Sequence, residues 1–214
     1  MALNLHQASI TLDDRPLIRS FDLSITAGEI VTLMGPSGSG KSSLLSLIAG
    51  DLEPPFKGKG RIELDGEVLD GLAPERRNIG RLFQDDLLFP HFTVGENLLF
   101  GMPRGERGGR MRRMEEALKD AGLEGFGNRA PHTLSGGQRA RVALMRALVA
   151  QPAAMLLDEP FNKLDAELRA TMRAFVFSHL KDRAIPCLLV THDRADVPPG
   201  GLVLKLTPMG EVLR

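Results

Sequence analysis

The 214-residue chain has no tryptophan, no tyrosine and a single cysteine, Cys187. One cysteine excludes an intramolecular disulfide and suits a reducing compartment. Set in Cys187-Leu188-Leu189-Val190, it is expected to pack inside a strand. No apolar run approaches the roughly 20 residues that a membrane span needs. The opening MALNLHQASI lacks a basic stretch followed by an apolar core, so no secretory leader is expected. An excess of charge of one sign is also missing. Lys+Arg and Asp+Glu both count 27, whereas a nucleic-acid binder shows a basic excess. With no repeat and no low-complexity segment, these absences leave a cytosolic globular chain, large enough for one α/β domain or a domain with a subdomain. A membrane protein stays open as a partner.

What the chain does have is glycine in a telling order. Gly35-Pro36-Ser37-Gly38-Ser39-Gly40-Lys41-Ser42 fits G-x-x-x-x-G-K-[ST], the phosphate-binding loop. The apolar run 30–34 before it reads as a buried strand. Ser43-Leu44-Leu45-Ser46-Leu47-Ile48-Ala49 after it reads as a helix stopped by Gly50. Phosphates need several backbone N–H groups pointing inward at once, and Gly35, Gly38 and Gly40 let the backbone close around an anion. The helix N-terminus adds unpaired N–H groups and partial positive charge. Residues 35–43, ending in Ser42 and Ser43, are therefore expected to bind nucleotide. Lys41 is assigned to the β- and γ-phosphates, and the Ser42 hydroxyl to Mg²⁺.

Around this loop the pattern alternates between strands and helices. Residues 3–12 and 17–25 alternate apolar and polar positions and read as two strands joined by a turn. Residues 51–60, with two prolines, two glycines and two lysines, read as a surface loop. Residues 61–64 and 67–69 around Asp65-Gly66 read as a hairpin with a type I′ turn. Residues 79–83, 153–157 and 187–190 are further core strands, and 202–206 with 211–213 form a last pair. Capping boxes at Thr93/Glu96 and Ser135/Gln138 are expected to open helices through Leu99 and about Ala150. Residues 110–121 read as an amphipathic helix after a loop over 101–109. Asp165 is expected to cap a helix over about 166–181.

Four apolar strands end in Gly35, Gln84, Asp158-Glu159 and Thr191-His192. In open α/β sheets, ligands bind at the carboxyl ends of strands. Asp158 after an aliphatic run suits orientation of Mg²⁺ or its waters. Glu159 then stands where a general base would polarise the attacking water. Gln84 is assigned to the metal and the water, and His192 to the γ-phosphate. Read singly, Asp-Glu-Pro is also a turn and Thr-His-Asp also a helix cap. Directly after Gln84, Leu87, Leu88, Phe89 and Phe92 cluster. Asp85, Asp86, Pro90 and His91 interrupt any period among them, which points to an exposed docking patch as well as to packing.

At Leu134-Ser135-Gly136-Gly137-Gln138 the chain resembles the ATP-binding subunits of ABC transporters, whose signature is LSGGQ. The resemblance covers essentially the whole chain and keeps the family's order: phosphate loop, Gln84, signature, Asp158-Glu159. It implies an α/β P-loop NTPase with a RecA-like core and an antiparallel β subdomain (1–85 and 151–214), and an inserted α-helical subdomain (86–150). It implies hydrolysis of ATP with Mg²⁺. It also implies a head-to-tail homodimer when ATP is bound, in which Ser135, Gly136, Gly137 and Gln138 of one subunit close over ATP on the other. Asp165 would belong to the D-loop and His192 would be the switch histidine. The run after Gln84 would line the groove for a permease coupling helix.

The stretch FQDDLLFPHFTVGENL is most similar to bacterial importers of thiamine, iron, polyamines and oxyanions. That implies a pair of permease subunits, a periplasmic binding protein, and a place on the inner face of the membrane. The C-terminal regulatory domain common among those relatives is expected to be missing, since the chain stops at Arg214. Three positions depart from the family. Leu12 stands where an aromatic stacks on adenine. Asn162-Lys163-Leu164-Asp165 replaces the usual Ser-Ala-Leu-Asp. Pro198-Pro199-Gly200 cuts short the helix after His192. The ATPase of an exporter or lipoprotein-release system, and a soluble non-transport ABC ATPase, stay open as alternatives.

Overall fold

The structure is a computed structural model describing residues 1–214. Its first sheet grows from the alternation near the N-terminus. β1 (Ala2–Leu12) buries Leu3 and Leu5, then Ala8 and Ile10. That spacing slips by one residue, and a period-two strand absorbs such a slip with a bulge. Gln7 supplies it at φ 49°, where pairing with β2 (Arg15–Thr26) shifts register between Leu5 and Ala8.

On the other side of β1 lies β4 (Phe56–Leu64), followed by β5 (Glu67–Val68), giving the order β2-β1-β4-β5. Asp65 and Gly66 both have positive φ, as the expected type I′ turn requires. The loop expected over 51–60 is corrected in its second half. Phe56 to Gly60 is strand, laddered from Leu12↔Phe56 to Ser9↔Lys59. Glycine weakens strands in general, yet here it permits close approach. A Cβ on Gly58 would meet Leu47 at 2.3 Å, and one on Gly60 would meet Ala8 at 2.7 Å.

β3 (Ile30–Met34), β7 (Ala154–Asp158) and β8 (Cys187–Val190) read as near-continuous apolar runs because parallel strands are covered on both faces. With β6 (Ile79–Leu82), β9 (Val203–Leu206) and β10 (Val212–Leu213) they form a second sheet, ordered β10-β9-β3-β8-β7-β6. β3 runs parallel to both β8 and β9, and β7 parallel to β8. Cys187 is buried in β8, as expected, and burial pushes its thiol up. α1 (Lys41–Ala49) puts Leu44, Leu45 and Ile48 into one core with Ile10, Leu33, Leu156 and Leu188. Its last turn is closed by Gly50 and by Arg77, which donates to the Leu47 and Ile48 carbonyls at 3.2 and 2.9 Å.

Internal contacts divide the chain into two units: residues 1–81, 153–159 and 175–214, and residues 82–152 and 160–174. The second unit is helical. It holds α2 (Val94–Gly101), α3 (Arg107–Asp120), α4 (Gly136–Val149) and the start of α5 (Ala166–Asp182). Both expected capping boxes form, at Thr93/Glu96 and Ser135/Gln138. α3 starts three residues before the expected 110, drawing Gly108 and Gly109 out of the expected loop. A first turn has no intrahelical N–H partners to lose, and the Arg110 N–H already reaches the Glu106 carbonyl at 3.1 Å. No helix of the chain is long and apolar enough to cross a membrane.

Candidate functional site

The strand order β3-β8-β7 decides which side chains meet in the first unit. Pairing of Leu33 with Val190 and of Asp158 with Val190 aligns the carboxyl ends of the three strands. The phosphate loop leaves β3, Thr191-His192 leaves β8, and Asp158-Glu159 ends β7. This is the edge where parallel sheets bind ligands.

The loop's glycines have separate reasons. Gly38 and Gly40 take φ of 74° and 99°, a left-handed backbone that glycine adopts without strain. Gly35 is glycine for space: a Cβ there would lie 2.7 Å from the Leu206 carbonyl of β9. Lys41 is 8% exposed, and its ammonium donates to the Gly35 and Pro36 carbonyls at 2.9 and 2.8 Å. An ammonium has three donors, so this grip leaves one for an incoming phosphate. The buried Ser39 Oγ has no hydrogen-bond partner within the chain, which leaves its hydroxyl available to a ligand.

Asp158 is 6% exposed. Burial pushes its carboxyl above the usual carboxylate range; the Ser42 hydroxyl bond, Arg81 and Lys41 pull the other way, and Glu159 adds to the rise. Glu159 follows at φ 48°, with its N–H on the Val190 carbonyl at 2.9 Å. That peptide continues the ladder one step past the strand. Its Oε1 lies 3.0 Å from His192 Nδ1. The His192 turn is fixed underneath: Thr191 Oγ1 donates to the buried Asp196 carboxylate at 3.0 Å and accepts from the Asp193 N–H at 3.1 Å. The short helix expected to be curtailed by Pro198-Pro199-Gly200 is a single 3-10 turn, Arg194–Asp196.

Leu12 ends β1 and lines a cleft of about 480 Å³ with Asp13, Arg15, Pro16 and Leu17. The same Leu17 approaches the phosphate loop, since a Cβ on Gly40 would meet it at 2.9 Å. One residue near this edge was not expected. Arg81 of β6 donates to Asp51 at 2.7 Å and to the Ser42 carbonyl at 3.4 Å. A lone arginine inside an apolar run carries no such signal in sequence.

Gln84 and the signature belong to the second unit. Gln84 is exposed and lies just beyond β6. Ser135 caps α4, accepting from the Gln138 N–H at 3.3 Å while Gln138 Oε1 accepts from the Ser135 N–H at 2.9 Å. Gly136 and Gly137 form the first turn, leaving N–H groups at its open end. Asp165 Oδ1 accepts from the Leu168 N–H at 3.0 Å, the cap expected for α5. Leu87, Phe89 and Phe92 are exposed, and Leu88 is half-buried. Phe100, which the sequence reading passed over, joins them: its ring centroid lies 4.7 Å from Phe89 and 5.9 Å from Phe92.

A family model described as ABC transporter matches residues 18–162. The chain is 47% identical over 210 residues to the ABC transporter ATP-binding protein YnjD of Escherichia coli, covering 98% of this chain and 97% of that protein. It is 45% identical over 179 residues to the thiamine import ATP-binding protein ThiQ of Vibrio vulnificus, covering 83% and 75%. It is 48% identical over 180 residues to the Fe(3+) ions import ATP-binding protein FbpC of Mesorhizobium japonicum, covering 82% and 49%. Among solved structures it is similar to the dimeric bacterial ABC transporter cassette MJ0796, with TM-score 0.85 and 31% identity over 99% of this chain and 97% of that one.

Proposed function

This chain belongs to the ABC transporter ATP-binding family, and from that membership we propose that it is the ATPase powering import through a membrane permease. The observation that carries hydrolysis is the Glu159–His192 pair, 3.0 Å apart on adjacent strand ends beside the phosphate loop. In this reading Glu159 takes a proton from the attacking water, and His192 holds that carboxylate and meets the γ-phosphate. Lys41 holds the β- and γ-phosphates with its remaining donor, and the N–H groups opening α1 complete the cradle. Mg²⁺ fits the donors present: Ser42 and Asp158 offer hard oxygens, and no cluster of three or more acidic, histidine or cysteine side chains forms a protein-only cage. When bound it supplies charge neutralisation at the phosphates. Gln84 is assigned to that metal and the water.

The second anion site is the capped start of α4. In the proposed homodimer, Ser135, Gly136, Gly137 and Gln138 of one copy close over ATP held by Lys41 of the other, with Asp165 in the D-loop between them. Residues 86–150 act as the helical subdomain, and 1–85 with 151–214 as the core. Import follows the relatives named for thiamine and Fe(3+) import. The reading adds two permease subunits, a periplasmic binding protein, and peripheral residence on the inner face of the membrane. The test is recovery from membranes: the protein should co-purify with an importer-type permease, and capture with an exporter's membrane subunits would overturn the direction.

Base selectivity is expected to be weak. Leu12 offers the adenine an aliphatic contact in place of an aromatic face, and an aromatic pair contributes about 0.5–1.5 kcal/mol beyond burial. ATP should therefore bind no more than about tenfold tighter than GTP in equilibrium titrations, one such pair being worth about a factor of ten. Affinities differing by a hundredfold would show that other groups read the base.

A further inference from the structure

Asp86, in the loop after Gln84, joins the first turn of α4 to the loop before α5. Its side chain is only 14% exposed and carries two cations at once. Arg139 Nε donates to Oδ2 at 3.3 Å, and Lys163 Nζ donates to Oδ1 at 3.2 Å. Arg139 lies on the first turns of α4, and its other arm donates to the Leu134 carbonyl at 2.7 Å, just ahead of the Ser135 cap. Lys163 lies two residues before Asp165, and its own carbonyl backs the same turn: a Cβ on Gly137 would come within 3.2 Å of it. So the Lys163 backbone supports the signature turn, and the Lys163 side chain ties that support to the loop after Gln84. Asp85 adds a second, longer contact to the ammonium at 3.9 Å.

We propose that Lys163 is a positioning residue: through Asp86 it fixes the opening of the signature helix against the loop after Gln84, so that this edge is preset for the partner subunit's nucleotide. The inference rests on the reading that ATP is shared between two copies. An exposed ion pair contributes little to stability. A half-buried carboxylate with two charge-assisted donors fixes geometry instead. Without the ammonium, the Asp86 carboxylate keeps Arg139 alone, and the 162–165 loop keeps its Arg169 contacts but loses its side-chain tie to the loop after Gln84, while the cap at Ser135 stays intact. Lys163, one of the two departures from the family's usual Ser-Ala, thereby acquires a job.

The test uses the full chain in a Glu159→Gln background, with Mg-ATP and light scattering as the readout. Adding Lys163→Ala or Lys163→Met should raise the ATP concentration needed for half-dimerisation about tenfold or more, because two-fold symmetry counts each loss twice. Lys163→Arg should restore it, and ATP binding to the monomer and the melting temperature should stay near those of the parent. Dimerisation of Lys163→Ala and Lys163→Met like the parent would overturn the proposal, as would failure of Lys163→Arg to rescue. If the Glu159→Gln parent itself never dimerises, the shared-site reading falls first and takes this inference with it; that outcome is seen in the parent, before any Lys163 variant is compared.

Discussion

Replacing Glu159 by glutamine is expected to cut ATP hydrolysis by about a hundredfold or more, the scale of a lost general base, while ATP still binds. Glutamine keeps the size and shape of the side chain, and its amide can still bond His192 Nδ1, 3.0 Å away in the native protein. What it loses is the capacity to take a proton. The positive φ of 48° at this position is set by the N–H on the Val190 carbonyl, which a side-chain change leaves alone. Fold and phosphate loop should therefore survive, and the loss should fall on kcat with ATP affinity nearly unchanged. With hydrolysis stopped, ATP should hold the variant as a closed dimer. Steady-state ATPase rates and nucleotide titrations on the same preparation decide it. Hydrolysis at the native rate would move the base to another residue; lost nucleotide binding would make Glu159 part of the binding frame instead.

The motifs that nominate candidate residues in each unit were legible because each announces itself locally. A phosphate loop is a run of eight positions, and a capping box spans four, so Lys41, Ser42, Ser135 and Gln138 need no knowledge of the rest of the chain. Asp158, Glu159 and His192 were legible one step less directly, as polar residues closing apolar runs. Their meeting required the order β3-β8-β7, which nothing local specifies. What stayed hidden depends on distant partners. Arg81 interrupts an apolar run with no sign of Asp51, 30 positions away. Asp86 lies 77 positions from Lys163. Residues 56–60 looked like a loop by composition, because glycine and lysine disfavour strands; the tight approach of Gly60 to Ala8 and of Gly58 to Leu47 gives the glycines another reason. Phe100 was missed because the helical period hides an exposed face until the partners of Phe89 and Phe92 are known.

Phe89→Asp is expected to abolish capture of the permease and to lower the melting temperature by several degrees without unfolding the chain, since the ring loses its contacts with Phe92 and Phe100, each worth about 0.5–1.5 kcal/mol, while the buried core is untouched. Phe89, Phe92 and Phe100 stack at centroid distances of 4.7–5.9 Å, yet are 38%, 36% and 64% exposed, with Leu87 beside them at 55%. Exposed apolar clusters of this kind are where partners commonly dock, and this one is the proposed permease surface. Its backbone is held from beneath. Asn97, fully buried, accepts from the Phe89 N–H at 2.8 Å and donates to the Phe89 and Thr93 carbonyls at 3.2 and 2.9 Å. Arg146 donates to the Leu87 carbonyl at 3.0 Å and lies 5.3 Å from the Phe89 ring. The loop's backbone is thus held by Asn97 and Arg146, and the part-exposed Phe89 ring is left to pack with Phe92 and Phe100 at the surface. An aspartate there would put a charge where the permease coupling helix would seat, with the Arg146 guanidinium, 5.3 Å from the native ring, close enough to offset it in the free subunit. Co-purification from membranes, run beside a melting curve, is the measurement. Retained capture would place the permease groove elsewhere on the chain, and unfolding would make the Phe89 ring part of the core.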